Sequence, residues 1–116
     1  MTEEIAVAWA AGLFEGEGCI TFDSRSPNHR RIRIKMTDRD VMQKFVDIVG
    51  YGKLGGPYME GKPGTPRAKH KPYWSWGTGK RSEVLRILKM FVPYFGKRRS
   101  KKAIEAINKI EIINRC

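Results

Sequence analysis

Two glutamates, Glu15 and Glu17, each followed by a glycine, close the run WAAGLFEGEGC at residues 9–19. The residues before them are small or apolar and read as a helix, so both carboxylates fall at a helix C-terminus. The macrodipole is negative there, and an acid costs roughly 0.3 kcal/mol or more. Gly16 and Gly18 add a penalty of roughly 1 kcal/mol each if interior, although a glycine suits a C-terminal cap. Carboxylates kept at a point that both preferences disfavour suggest a chemical use, and the use that fits is a hard-oxygen site for a divalent cation. Glu17 stands beside the start of a basic strand. It is either such a ligand or a solvated helix end paired with a nearby lysine; Glu15 suits the second reading better.

A second cluster breaks the same rule with opposite sign. Lys97, Arg98 and Arg99, followed by Lys101 and Lys102, crowd the start of the last helix, where the dipole prefers anions. A phosphate would relieve them, and helix N-termini are natural phosphate sites; the alternative is a basic solvated turn. A third set lies on a strand: RRIRIKMT (30–37) alternates, with Ile32, Ile34 and Met36 on one face and Arg31, Arg33, Lys35 and Thr37 on the other. Alternation alone shows only a half-buried strand. Three adjacent cations repel one another, which an anionic ligand along the sheet would ease. His29 and His70 have no partner at ligand or triad spacing. No phosphate-binding glycine loop and no Ser/His/Asp or Cys/His arrangement is present, and Cys19 and Cys116 stand alone, without disulfide or zinc spacing.

The overall charge points the same way. Lys and Arg number 23 against 12 acids, giving +11 and a pI near 10.0, and all but two of the bases lie between Arg25 and Lys102. Nucleic acid is the partner such a field suits, with charge kept for solubility as the plain alternative. A membrane surface fits less well, because the bases do not gather on an amphipathic helix. The 116 residues suit one domain, 1–116. No apolar run approaches the ~20 residues of a membrane span, and Glu3 and Glu4 replace a basic leader. An intracellular protein is expected.

The elements that must position these groups follow from periodicity. A first helix is expected over 4–16, with Ile5, Trp9, Leu13, Ala6 and Ala10 as its apolar stripe. Ala8, Gly12 and Gly16 form a second stripe of small residues at spacing four, which admits a close helix–helix contact. CITFDSR (19–25) and RRIRIKMT (30–37) read as strands around a turn at 26–29. Thr37, with Asp40 three residues on, reads as a helix start, and Val41, Met42, Phe45, Ile48 and Val49 supply that helix's inner face. YGKLGGPYM (51–59) is a strand broken by glycine and proline, hence bent or at an edge. A Gly/Pro-rich basic loop spans 60–72, and PYWSWGTG (72–79) is a fourth strand with Trp74 and Trp76 opposite Tyr73, Ser75 and Gly77. A helix over 81–92, with Val84, Leu85, Leu88 and Phe91 inward, stops at Pro93. A last helix starts near Ser100 and carries Ile104, Ile107, Ile110 and Ile113. The class is α+β: an antiparallel sheet with helices on one face and an open face bearing Arg31, Arg33 and Lys35.

AAGLFEGEG (10–18) resembles the signature of the LAGLIDADG homing endonucleases, with Glu for Asp and Ala10 for the first Leu. Gly12, Leu13, Gly18 and both acids are in register. The element order also resembles that family's αββαββα core, whose saddle-shaped sheet carries DNA on its open face, and YWSWGTG and VPYFGKRR resemble its fourth strand and its proline-aromatic-basic segment. The resemblance implies that Glu17 is a metal ligand, that Glu15 is structural, that Asp38 is the polar residue ending the second strand, and that the basic residue of the active site is among Lys97, Arg98 and Arg99. It implies that Ala8, Gly12 and Gly16 meet the same helix of a second copy, making a homodimer on a pseudo-palindromic double-stranded DNA site.

The implied reaction is Mg²⁺-dependent phosphodiester hydrolysis of both strands across the minor groove, leaving short 3′ overhangs. Candidate DNA contacts are Thr21, Asp23, Arg25, Arg31, Arg33, Lys35, Lys53, Tyr73 and Ser75. Each is either a base contact or a phosphate contact without sequence information. A second strand of ~8 residues spans roughly 26 Å, about eight base pairs. Two rivals remain at this level: a DNA-binding regulator or RNA-splicing maturase on the same fold, and a basic ribosome-associated structural protein.

Overall fold

A computed structural model describes residues 2–23, 26–59 and 71–114, with the side chains of 22, 23, 26–29 and 112–114 outside the description. Helix α1 (Glu3–Glu17) opens on Thr2, whose hydroxyl accepts the Ile5 amide at 3.2 Å, with Glu3 and Glu4 in the first turn, where acids complement the dipole. Strand β1 (Gly18–Asp23) follows with no intervening residue, and β2 (Ser26–Met36) returns antiparallel to it. Helix α2 (Arg39–Val49) closes on Gly50 at φ 77°, a left-handed cap that glycine takes without strain. Strands β3 (Lys53–Tyr58) and β4 (Tyr73–Thr78), helix α3 (Arg81–Phe91), a 3-10 turn at Val92–Tyr94 and helix α4 (Lys97–Asn114) complete the order.

The sheet runs β1-β2-β4-β3 and is antiparallel throughout. Its architecture is the expected α+β one. The interrupted strand β3 lies at an edge, with Gly56 at φ 127° next to Pro57. On the covered face, Ile32 and Ile34 of β2 and Trp76 of β4 are buried with Phe14, Phe45 and Phe91. Phe45 meets Trp76 edge-on at 4.8 Å between ring centres, and Phe14 and Phe91 lie 5.8 Å apart. The buried Trp76 indole donates to the Tyr51 carbonyl at 2.8 Å, so its one polar atom is satisfied.

Several local expectations are corrected. The inner face of α1 is Ala10, Ala11 and Phe14, with Val7, Trp9 and Leu13 packed beside them as partly buried residues, while Ile5 is 58% exposed. The alanines win the inner face because they let the helix backbone lie close to its neighbours. The same displacement occurs in α4, where Ala103, Ala106, Ile107 and Ile110 are buried and Ile104 is 45% exposed. That helix begins at Lys97, three residues before Ser100, because the Gly96 carbonyl already accepts the Ser100 amide at 2.9 Å. The cap of α2 is Asp38, not Thr37, and its carboxylate makes no capping bond. The turn expected at 26–29 is strand, since β2 already starts at Ser26. Ile113 belongs to α4, but its side chain lies outside the described residues.

Candidate nucleic-acid interface

Strand register lays the polar residues of the open face out in rows. Cys19, Arg33, Gly77 and Lys53 face one another across all four strands; Lys35, Ser75 and Gly55 form a second row; Thr21 opposes Arg31. Arg31, Arg33, Lys35, Lys53 and Thr21 are exposed, and Tyr73 and Ser75 are half-buried. Gly and Ser opposite the cations keep the floor low, so β2, β4 and β3 line a broad open groove with Arg31, Arg33, Lys35, Lys53 and Lys80 around it. The sheet face therefore carries fixed positive charge along a concave, accessible surface, the electrostatic footprint of a nucleic-acid site. Asp23 lies on β1 with its side chain outside the described residues, and Arg25 and His70 lie wholly outside them, as does the side chain of His29.

Glu17 is the last residue of α1 and is exposed. It lines a separate hollow with Asp38, Thr37, Met36, Lys35, Lys71 and Tyr73. Lys35 and Tyr73 line both this hollow and the sheet groove, so the two are adjacent. Lys35 Nζ stands 4.2 Å from the centre of the Tyr73 ring, a cation–π contact that fixes the side chains at the junction. Among the described residues no hydrogen bond or ion pair engages the carboxylate of Glu17 or Asp38. Two unengaged carboxylates at one hollow are the donor chemistry that a hard divalent cation takes, with phosphate and water oxygens filling the remaining positions. No group of three His, Cys, Asp or Glu residues at metal spacing occurs among the described residues.

Glu15 is used differently. Its carboxylate accepts the amide of Gly96, and its main-chain carbonyl accepts Arg99 Nη2 at 2.9 Å. Glu15 thereby ties the end of α1 to the start of α4. Lys97, Arg98 and Arg99 gather with Lys102 and Gly96 around Glu15, in a hollow separate from that of Glu17. The structure thus brings Glu17 and Asp38 together and places the Lys97–Arg99 cluster on the Glu15 side.

Gly18 also has a definite reason to be glycine. A Cβ there would stand 2.4 Å from Phe14 Cδ2 and 2.7 Å from the Phe14 carbonyl oxygen. Gly12 and Gly16 differ: both are exposed, and a Cβ on either meets nothing within 4 Å. With the exposed Ile5 and the half-buried Ala8, they leave α1 a small-residue, apolar strip on its exposed side.

Sequence reasoning passed over three residues of this surface: Lys71, Lys80 and Tyr58. Lys71 was lost among the bases of a loop, and Lys80 among those of a helix start. Tyr58 is 47% exposed and its ring stands 5.6 Å from that of Tyr73, its register partner. Two tyrosines on neighbouring strands, Tyr58 exposed and Tyr73 half-buried, both lining the groove, would have been the signal.

No family model matches the sequence, and no curated protein matches it. Solved structures do. The homing endonuclease I-CvuI, in complex with its target in the presence of Ca, aligns with a TM-score of 0.70 at 13% identity, covering 94% of this chain and 68% of that one. The homing endonuclease I-TnaI aligns with a TM-score of 0.66 at 16% identity, over 94% and 74%. The archaeal intron-encoded homing endonuclease I-Vdi141I, complexed with DNA, gives 0.58 at 17%, over 97% and 69%. Identities this low speak to architecture. A motif helix ending directly in a basic antiparallel sheet, and these alignments over nearly the whole chain, lead to one statement: the chain has the fold of the homing endonucleases.

Proposed function

We propose that this chain is a sequence-specific, Mg²⁺-dependent DNA endonuclease that acts as a homodimer. The observation that carries the reading is that the basic sheet groove and the Glu17–Asp38 hollow lie side by side and share Lys35 and Tyr73 in their lining. A duplex seated on the groove would reach the two carboxylates at its end. Structures of the same fold include I-CvuI in complex with its target with Ca present, which supports DNA as the ligand and a divalent cation as the cofactor.

Glu17 and Asp38 would hold the metal. When bound, Mg²⁺ supplies Lewis acidity at the scissile phosphate. The chain's own cations do the rest: Arg31, Arg33 and Lys53 orient the duplex, and Lys97, Arg98 and Arg99 offset phosphate charge where α1 meets α4. With 11 residues in β2, the strand spans about 36 Å at about 3.3 Å per residue, or about ten base pairs. The sequence-derived length of roughly 26 Å grows because the strand starts four residues earlier. Dimerisation through Ala8, Gly12 and Gly16 would double the site to about twenty base pairs and set one Glu17 on each strand. Short 3′ overhangs are the expected product.

Selection of cleavable duplexes from a random DNA library, with purified protein and Mg²⁺, tests the reading. A recovered pseudo-palindrome cut on both strands, and loss of cutting with retained affinity in Glu17→Gln, is the expected result. Specific binding without cleavage by the unaltered protein would instead make it a binding module, and unselective, salt-sensitive binding would end the reading.

A further inference from the structure

We infer that Lys71 is the cation that holds the scissile phosphate beside Glu17, an assignment that rests on the endonuclease reading. Lys71 lines the hollow that contains Glu17 and Asp38. It is exposed and, among the described residues, no hydrogen bond or ion pair occupies its ammonium. The competing cations of that hollow and its surroundings are otherwise engaged. Lys35 stands over the Tyr73 ring at 4.2 Å. Arg99 donates to the Glu15 carbonyl at 2.9 Å and lies 5.8 Å from the centre of the Phe14 ring. Lys97 and Arg98 line the hollow of Glu15 instead.

The charge pattern at the end of the groove is therefore two carboxylates and one uncommitted ammonium, two residues before Tyr73, the first residue of β4. Carboxylates alone repel a phosphate. A divalent cation reverses that sign only at the oxygens it contacts, which leaves a remaining oxygen for a lysine across the hollow. A lysine is suited to this because its ammonium is a compact charge on a flexible stem that can follow the phosphate as charge builds. Lys71 leads directly through Pro72 into the sheet strand that carries Tyr73 and Ser75, so its backbone is referenced to the same surface as the bound duplex. On this assignment Lys71 touches the reacting phosphate, and Lys97 and Arg98 touch flanking ones.

The test separates rate from affinity on the full-length protein and its selected duplex. Lys71→Met should lower the single-turnover cleavage rate at saturating protein by about 100-fold, with dissociation constants measured in EDTA changed by less than about threefold, and Lys71→Arg should recover part of the rate. Arg98→Ala should show the reverse balance, with weaker binding and a smaller loss of rate. A second measurement needs no cleavage. Replacing the scissile phosphate by a methylphosphonate should weaken binding by the unaltered protein in EDTA by up to about threefold, the same loss that Lys71→Met itself shows, and should weaken Lys71→Met binding no further. Lys71→Met cutting at the full rate, or equal weakening of both proteins by the methylphosphonate, overturns the assignment. Failure of the unaltered protein to select any duplex overturns the endonuclease reading and Lys71 with it, a distinct result.

Discussion

Arg99 donates through Nη2 to the main-chain carbonyl of Glu15 at 2.9 Å, across 84 positions of sequence, while the Glu15 carboxylate accepts the Gly96 amide. The pair closes α1 onto α4 from both ends of one residue. The contact to the carbonyl satisfies an acceptor at the helix C-terminus that has no intrahelical partner, and it places a cation where the dipole welcomes one.

Arg99→Ala should therefore lower unfolding free energy by about 1–2 kcal/mol. Arg99→Lys should recover only part of that, since an ammonium cannot both reach the carbonyl and lie against the Phe14 ring. Urea denaturation followed by tryptophan fluorescence measures both. A loss below about 0.3 kcal/mol in Arg99→Ala would show that the contact adds nothing to stability.

Gly18→Ala should destabilise the fold by about 1–3 kcal/mol, because its Cβ would press on the Phe14 ring and carbonyl in a packed region. Chemical denaturation reads this directly, and Gly18→Ser should be no better tolerated.

Gly12→Ala and Gly16→Ala behave differently. Each chain has open space at these positions, so alanine should raise monomer helix stability, by up to about 1 kcal/mol. Gly12→Leu and Gly16→Leu should keep the fold by circular dichroism yet sediment as monomers, because a wedge at the proposed seam parts the two α1 helices. A leucine variant that sediments as a dimer places the seam elsewhere.

Substitution of Arg31, Arg33 or Lys35 by Met should reduce the salt dependence of DNA affinity, log K against log salt, by roughly 0.9 for each phosphate that is no longer neutralised. A residue that reads a base instead should leave that slope in place and relax preference at one position of the selected site. Titrations at several salt concentrations, with selection repeated for each variant, sort the three side chains between the two roles.

The strands and the open face were legible because each rests on short-range alternation: Ile32 and Ile34 inward necessarily put Arg31, Arg33 and Lys35 outward. Helix faces were less legible. The isoleucines Ile5 and Ile104 dominate any hydrophobic count, yet close approach of the backbone selects Ala10, Ala11, Ala103 and Ala106 for the core. The start of α4 was misplaced because three cations oppose its dipole, and what offsets them, the carboxylate of Glu15, lies far away in sequence. The division between the two motif acids was legible from the resemblance; what distance hid was the partner of Glu15, since only the packing of α4 against α1 gives Glu15 to Gly96 while Glu17 lines the hollow of Asp38. Lys71 could not be picked out among the neighbouring bases of its loop until β4 fixed where it stands.

Helix α1 ends at Glu17 and β1 begins at Gly18, so the residue proposed to cut and the strand proposed to read share one rigid stem. The protein then behaves as a ruler with its blade fixed to the scale. Sliding the duplex by one base pair, about 3.4 Å, moves the target phosphate by the full amount, with no loop to take up the error. On the proposed reading, a site displaced by one step should be gripped yet remain uncut, and fidelity would come from alignment as much as from affinity.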